Sequence, residues 1–172
     1  MKAALLVALL PALLPVWAWA QAEPPQEAQL RAAFVYRFAQ FTQWPAPLQP
    51  GLTLCGVQLG AAELALRQLS ARTRSGTPLR YRDIEGPLDA AQHCQVLVLG
   101  QSDPASLRSW VEGLGVAPVL VVGLAPESLR AGASIALLTE PQGLAFSVNQ
   151  SEARRRGLAL SSQMLKLARE VR

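Results

Sequence analysis

The distribution of apolar and polar residues divides the chain into short strands and helices. Several short segments are almost wholly apolar, which is typical of strands that are buried on both faces of a sheet. The strands predicted in this way are 52–58, 79–84, 95–99, 118–122, 134–138 and 144–148. The last two flank Pro141-Gln142-Gly143 and are predicted to form a hairpin.

Helical patterns lie between these strands and are marked by capping residues. Asp103 or Ser102 caps a helix that has Pro104 at its first position, and Asn149 caps a short helix with Glu152 as its capping-box partner. Ser161 or Ser162 caps a last helix that is predicted to continue to the C-terminus, with Met164, Leu165, Ala168 and Val171 facing inward. The predicted helices are 28–44, 61–71, a short one at 90–91, 104–113, 150–156 and 162–172. This alternation predicts an α/β fold, a three-layer sandwich with a mostly parallel sheet, a late antiparallel hairpin and helices on both faces.

The first helix is predicted to bury an aromatic stripe. At 100° per residue, Leu30, Phe34, Phe38 and Phe41 fall on one side of the helix, which we interpret as its core face. Arg37 projects onto the same stripe, which is unusual for a core face. Its guanidinium is therefore expected either to reach past the edge of the core or to pair with a carboxylate.

The N-terminal residues have the pattern of a secretory signal peptide. Lys2 precedes the apolar stretch 3–16, and Ala18-Trp19-Ala20 is a cleavage site of the A-x-A type. A permanent membrane anchor is the weaker alternative, because the stretch is shorter than the roughly 20 residues that span a bilayer. Cleavage near Ala20 would leave a polar leader, 21–27, and one domain, 28–172, working outside the cytoplasm.

Cys55 and Cys94 are the only cysteines of the chain. In an oxidising compartment an even number of cysteines favours a disulfide. Two unpaired buried thiols are the alternative, and a catalytic dithiol is disfavoured because no C-x-x-C motif is present. A bridge that closes a loop of this size would stabilise the fold by about 4 kcal/mol on the chain-entropy model.

Composition and motifs argue against catalysis and against nucleic-acid binding. The net charge is +4, and the charges are scattered rather than arranged in a basic stripe. His93 is the single histidine, no G-x-S-x-G elbow accompanies it, and no metal-ligand spacing is found. The run Arg154-Arg155-Arg156 lies at the C-terminal end of a predicted helix, so we interpret it as a solvated face that suits the helix dipole. A binding or regulatory domain, without cofactor or metal, is the class that remains.

Three segments carry a resemblance to a known family. Residues 31–45, R-A-A-F-V-Y-R-F-A-Q-F-T-Q-W-P, resemble the opening helix of the YfiR family of periplasmic regulators, which reads like K-A-A-F-L-Y-N-F-A-K-F-x-x-W-P. Residues 146–149 with 153–157 resemble its F-x-I-N…A-R-x-x-G segment. Residues 157–168, G-L-A-L-S-S-Q-M-L-K-L-A, are similar to its closing G-L-x-I-S-S-x-L-L-x-L-A. The similarity covers nearly all of the mature chain.

The resemblance implies a periplasmic α/β protein without catalytic activity. Such a protein binds the periplasmic sensor region of an inner-membrane diguanylate cyclase and represses it, which lowers the cyclic di-GMP that controls biofilm formation and motility. An outer-membrane lipoprotein relieves the repression by sequestering the regulator. The positions of Cys55 and Cys94 also fit the family, but segment 128–136 lacks the second cysteine pair of some relatives, and Arg37 stands where the family usually has Asn.

The segment 149–166 concentrates family-matching residues and is therefore predicted to contact the partner. The predicted partner-binding residues are Asn149, Arg154, Arg155, Ser161, Ser162 and Lys166. The alternative function is a periplasmic small-ligand-binding or sensor domain that uses the crevice at the carboxyl ends of the parallel strands. A thiol oxidoreductase is a more distant alternative, and a homodimer is the other assembly considered.

Overall fold

The computed structural model describes residues 25–46, 51–73 and 78–172. The predicted signal peptide and most of the predicted polar leader lie outside these ranges. The helices are α1 Gln26–Gln40, α2 Ala61–Arg72, α3 Pro87–His93, α4 Pro104–Gly113, α5 Glu127–Arg130, α6 Gln150–Arg155 and α7 Ser162–Leu167. The strands are β1 Thr42–Gln43, β2 Leu52–Val57, β3 Leu79–Arg82, β4 Val96–Leu99, β5 Leu120–Gly123, β6 Ile135–Glu140, β7 Gly143–Val148, β8 Ala159–Leu160 and β9 Glu170–Val171.

A seven-stranded sheet in the order β3-β2-β4-β5-β6-β7-β9 forms the centre of the molecule. The strands from β3 to β6 are parallel, β7 runs antiparallel to β6, and β9 adds parallel to β7. The predicted α/β class, mostly parallel sheet and late hairpin are confirmed. β3 and β4 both lie beside β2.

Successive residues of the central strands face two separate cores. Leu54 and Val98 belong to the core that contains α1 and α2, whereas Leu97 and Val121 belong to the core that contains α3 and α4. All of the residues of β4 and β5 are buried. The sheet is therefore covered on both faces, as its apolar strands require.

The buried face of α1 differs from the predicted one. The buried residues of α1 are Ala28, Ala32, Val35, Phe38 and Ala39. Of the predicted stripe only Phe38 is fully buried, and Leu30 is 44% exposed. Three alanines on the buried face let the helix backbone lie close to its neighbours, which turns the aromatic stripe toward the edge of the core. The predicted core face of α1 is thus confirmed for Phe38 and wrong for Leu30, whereas Phe34 and Phe41 are partly buried and pack against the core.

Arg37 lies on the outside of this edge. The side chain is exposed, and its guanidinium donates to the amide oxygen of Gln40 at 3.2 Å. The guanidinium of Arg37 therefore reaches past the edge of the core, which is the first of its two expected placements. Among the described residues it has no carboxylate partner.

The C-terminal residues form a strand instead of continuing the last helix. α7 ends at Leu167, and the backbone N–H of Arg169 donates to the carbonyl of Phe146 at 2.8 Å. The N–H of Arg172 donates in turn to the carbonyl of Val148 at 2.9 Å. The free backbone groups of β7 supply partners for these residues, so tertiary pairing overrides the local helical pattern. Val171, which was predicted to face inward, is 44% exposed.

A second, two-stranded sheet joins the end of α1 to the segment before α7. β1 and β8 are antiparallel, with Thr42 opposite Leu160 and Gln43 opposite Ala159. Sequence analysis had assigned β1 to the first helix and had not predicted β8 or α5. Two-residue strands lack an apolar period long enough to be recognised.

Cys55 and Cys94 form the predicted disulfide, with 6.0 Å between their Cα atoms. Cys55 lies on β2, and Cys94 ends α3 two residues before β4, the neighbour of β2. Both residues are buried in the core beneath α3 and α4. The bridge therefore links two adjacent parallel strands through one face of the sheet.

Removing this bridge is expected to destabilise the domain. Replacing both Cys55 and Cys94 with serine should lower the free energy of unfolding by about 2–5 kcal/mol, because the denatured chain regains the freedom of the opened loop. Chemical denaturation of the mature variant and wild type measures the difference. Intact-mass analysis of the untreated wild type should show no alkylation by iodoacetamide under denaturing, non-reducing conditions, and two alkylated thiols there would contradict the bridge.

The two aromatic residues of α1 that contact Phe146 should differ in their effect on stability. Phe38→Ala should cost about 3–5 kcal/mol, because Phe38 is 2% exposed and its removal leaves a cavity. Phe34→Ala is the matched control and should cost roughly half of that or less, because Phe34 is only partly buried. Equal losses in denaturant titrations would contradict this assignment of the faces of α1.

Candidate protein-interaction surface

The segment after β7 begins with a well-formed helix cap. The side-chain oxygen of Asn149 accepts from the N–H of Glu152 at 3.0 Å, which confirms Asn149 as the N-cap of α6. The N–H of Asn149 donates to the carbonyl of Ser134 at 2.8 Å rather than to Glu152. Only one half of the predicted capping box is therefore formed, and the carboxylate of Glu152 is left to bind arginines.

Glu152 binds two arginines of its own helix end. Its carboxylate accepts from Arg155 at 2.6 and 2.9 Å and from Nε of Arg156 at 3.0 Å. Burial by itself raises the pKa of Glu152, but the hydrogen bond from Arg155 and the charge of Arg156 outweigh burial and hold the pKa below its ordinary value. Burial lowers the pKa of Arg156, and Glu152 opposes that shift.

Arg156 is a structural residue. Its side chain is fully buried, and its guanidinium donates to the carbonyls of Val111 at 3.2 Å and Ala117 at 3.3 Å. These carbonyls belong to the last turns of α4 and to the connection to β5, so Arg156 fastens α6 to the opposite core layer. The interpretation of Arg154-Arg155-Arg156 as a solvated face is wrong for Arg156. It holds for Arg154, which is exposed.

The partner-binding residues predicted on α7 likewise divide into one structural residue and two exposed ones. Ser161 is the N-cap of α7, where its hydroxyl accepts from the N–H of Met164 at 3.2 Å. Its own N–H donates to the carbonyl of Phe41 at 2.9 Å, which places the start of α7 beside the end of α1. Ser162 and Lys166 are exposed on α7.

The six predicted partner-binding residues thus lie on two helices, and three of them already serve the fold. Asn149 and Ser161 cap helices, and Arg155 pairs with Glu152. The three exposed side chains that remain available are Arg154, Ser162 and Lys166. Contact of this segment with a partner stays a prediction, and it depends on those three side chains.

A groove lies between α1, the β6–β7 hairpin and the end of α7. It consists of two adjoining depressions of about 300 and 380 Å³ that share Glu140 and Leu144 in their walls. Leu30 and Phe34 of α1 form one wall, and Phe146 and Leu167 lie in the second depression. We call this feature the hairpin groove.

The lips of the hairpin groove are apolar and exposed. Leu30 is 44% exposed and Leu167 is 76% exposed, whereas Phe146 beneath them is 6% exposed. The ring of Phe34 packs edge-on against that of Phe146, with 6.3 Å between their centroids. The pattern of α1 does not indicate this surface, because an apolar stripe of this kind is also typical of a core face. The presence of Arg37 on that stripe was the signal that it faces solvent.

Ion pairs fix the walls of the hairpin groove. The guanidinium of Arg31 donates to Glu27 at 2.7 Å and to the hydroxyl of Thr139 at 2.8 Å, and Thr139 also donates to Glu27 at 3.0 Å. This network ties the first turns of α1 to β6. Arg169 pairs with Glu140 and ties the C-terminal segment to the same strand. The groove is therefore held open by contacts that do not involve its apolar lips.

The described residues offer no metal centre and no membrane helix. Within 25–46, 51–73 and 78–172, no group of three or more His, Cys, Asp or Glu side chains is placed to hold a metal ion. No helix in the same ranges has the length and apolar character needed to cross a membrane.

Comparison with solved structures supports the fold class. A conserved domain protein from Vibrio cholerae O1 biovar eltor str. N16961 is similar with a TM-score of 0.55 and 14% identity, over 84% of this chain and 60% of that one. The ABC domain in complex with L-Trp from Streptococcus pneumoniae is similar with a TM-score of 0.57 and 10% identity, over 85% and 60%. The chain thus spans about 60% of the length of these two proteins, and the likeness concerns the fold alone.

The chain is an α/β domain with a mostly parallel, two-sided sheet, and the family comparison specifies it further. The model of the family described as YfiR/HmsC-like matches residues 28–169. The chain belongs to the YfiR/HmsC-like family. A search of curated proteins finds no match.

The buried pair of Glu152 and Arg156 should control stability at acidic pH. Glu152→Gln should lower the free energy of unfolding near neutral pH by about 3–5 kcal/mol, because the buried guanidinium loses its counter-charge. Since the folded-state pKa of Glu152 is depressed, its contribution is present above the ordinary value of 4.5 and is lost as the pH falls through the folded value. The stability difference between wild type and variant should therefore shrink at low pH.

Urea denaturation at a series of pH values measures this difference. Arg155→Gln is the matched control, because Arg155 is 47% exposed and its pair with Glu152 should contribute less than about 1 kcal/mol. A Glu152→Gln variant as stable as Arg155→Gln at neutral pH would contradict the assignment.

Proposed function

We propose that this protein is a periplasmic regulator that binds the periplasmic sensor region of an inner-membrane diguanylate cyclase and represses it. The observation that carries the proposal is the match of the YfiR/HmsC-like family to residues 28–169. Regulators of this family act in the periplasm, and the buried disulfide of Cys55 and Cys94 is consistent with an oxidising compartment. The signal peptide proposed for residues 1–20 supplies the route of export, with cleavage near Ala20 and one domain over 28–172.

The mechanism is differential binding. A regulator without catalytic groups can lower the output of a cyclase only by binding its inactive conformation more tightly than its active one. The extent of repression is then limited by that difference in affinity. An outer-membrane lipoprotein that sequesters the regulator would restore cyclic di-GMP synthesis by mass action and would thereby favour biofilm formation over motility.

Binding of a small ligand at the carboxyl ends of the parallel strands is the alternative. The strand order reverses between β2 and β4, which is where such a crevice forms in doubly wound folds. Here the loops that follow these strands pack closely, since a Cβ at Gly100 would overlap the carbonyl of Gln58. The next side chain, Gln101, is buried. This close packing narrows the crevice between the two loops.

Deletion of the gene should raise cellular cyclic di-GMP and surface attachment, because the cyclase would be released from repression. Quantifying cyclic di-GMP by mass spectrometry in wild-type, deletion and complemented strains tests this. A second strain that lacks both the gene and the genomically neighbouring cyclase gene is the control and should return to a low level. Unchanged cyclic di-GMP in the deletion strain would refute the cyclase role.

A further inference from the structure

We propose that the hairpin groove, extended along α1 by Arg37 and along α7 by Lys166, is the docking site for an amphipathic partner segment with an apolar face and acidic flanking residues. This inference rests on the proposed function, and it names the surface that makes the contact and the chemistry of the partner segment.

α1 and α7, the two helices that border the groove, lie side by side. α7 begins beside Phe41, because the N–H of Ser161 donates to the carbonyl of that residue at 2.9 Å. It ends beside Phe34, since Leu167 and Phe34 line the same depression. α7 therefore runs antiparallel to the last turns of α1. The outer sides of both helices belong to one surface that continues from the groove.

Several large apolar side chains of α1 and α7 are exposed or half-buried at this surface. Leu30, Phe34 and Phe41 lie on one stripe of α1 and remain exposed or half-buried, and Leu167 is 76% exposed. Large apolar side chains that are exposed together beside a concave surface are typical of interaction sites. Aromatic residues and arginine are also the types that most often dominate binding energy, and this stripe contains Phe34, Arg37 and Phe41.

The charges on α1 and α7 indicate the chemistry of the partner segment. Glu27 and Glu140 of the groove are neutralised by their pairs with Arg31 and Arg169. Arg37 and Lys166 form no ion pair within the ranges that the structure describes. The uncompensated charge on α1 and α7 is thus positive, and complementary potential requires a partner segment with carboxylates. Ser162 and Lys166, two of the exposed residues predicted from sequence, lie on the helix that borders this surface.

The depth of the groove fits side chains rather than a folded domain. Depressions of about 300 and 380 Å³ accommodate a few apolar side chains each. The walls are fixed by the Glu27–Arg31–Thr139 network and by the Glu140–Arg169 pair, so little ordering of the regulator is needed on binding. An amphipathic segment of a membrane protein would insert its apolar residues between Leu30 and Leu167.

Complementation of the deletion strain with full-length variants tests the proposal. Leu30→Glu combined with Leu167→Glu should leave cyclic di-GMP at the level of the deletion strain, because carboxylates at the lips repel an acidic, apolar segment. Leu88→Glu is the matched control and should complement fully, since Leu88 is 73% exposed on α3, in the layer on the other side of the sheet. Full complementation by the double groove variant would overturn the proposal, and so would equal failure of the Leu88 variant.

Charge reversal tests the partner's chemistry. Arg37→Glu with Lys166→Glu should abolish repression, whereas Arg37→Gln with Lys166→Gln should weaken it partially. Periplasmic abundance and melting temperature should match wild type in each variant, because neither cation pairs with a carboxylate in the fold. Identical cyclic di-GMP levels with the reversed and neutral pairs would overturn the assignment of acidic flanking residues.

Photocrosslinking separates failure of the surface from failure of the cyclase role. A benzoylphenylalanine at position 167 should yield an adduct with an inner-membrane protein at a segment of apolar and acidic residues, which peptide mass spectrometry identifies, and the same probe at position 88 should not. If deletion leaves cyclic di-GMP unchanged, the cyclase role fails while this adduct still supports the surface. Absence of the adduct from position 167 in a strain whose cyclic di-GMP is repressed overturns the surface and leaves the cyclase role standing.

Two measurements on the purified mature protein test other occupants. Binding to phosphatidylglycerol vesicles that is lost in Leu167→Glu would show that an anionic lipid surface occupies the groove. A dimer in sedimentation experiments that is dispersed by the Leu30→Glu and Leu167→Glu pair would show that a second copy occupies it. Either result would overturn the proposal, and a monomer without vesicle binding is expected.

Discussion

Burial of β4 and β5 on both faces is the constraint on which the rest of the structure depends. Their residues are apolar and inaccessible to solvent, so each face of the sheet has to be covered by helices. One layer contains α1 and α2, and the other contains α3 and α4 with the disulfide beneath them. Two long-range links stabilise this arrangement. One is the disulfide between Cys55 and Cys94, and the other is the pair of hydrogen bonds from Arg156 to carbonyls at the end of α4 and just after it. The hairpin groove occurs where this coverage ends, at the antiparallel side of the sheet.

The fold separates structural residues from residues whose side chains remain available to the proposed partner. Arg156 and Glu152 lie in a segment rich in family-matching positions, and their contacts serve packing rather than recognition. Asn149 and Ser161 match the family pattern themselves, and their role in the fold, capping helices, accounts for that match. Arg154 and Lys166, by contrast, perform no evident task in the fold. A residue that matches a family pattern therefore indicates a partner only when the fold leaves its side chain unused.

The aromatic stripe of α1 shows how a correct helix can have a wrongly assigned face. Periodicity grouped Leu30, Phe34, Phe38 and Phe41 correctly, but apolar character alone did not indicate which side of the helix meets the sheet. The alanines decided the matter, because their small side chains permit a closer approach of the helix and a denser core. Leu30 and Phe34 then remain at the rim, where they line the groove, whereas Phe38 is buried.

The sequence alone determined the α/β class, the order of most elements, the disulfide and the cap at Asn149, and it narrowed the caps of α4 and α7 to two residues each. These features follow from short-range periodicity, from capping chemistry and from a single pair of cysteines. Tertiary structure alone decided the orientation of α1, the burial of Arg156, the strand β9 and the sheet of β1 with β8. Each of these depends on partners distant in sequence, whose backbone groups and carbonyls no local pattern reveals.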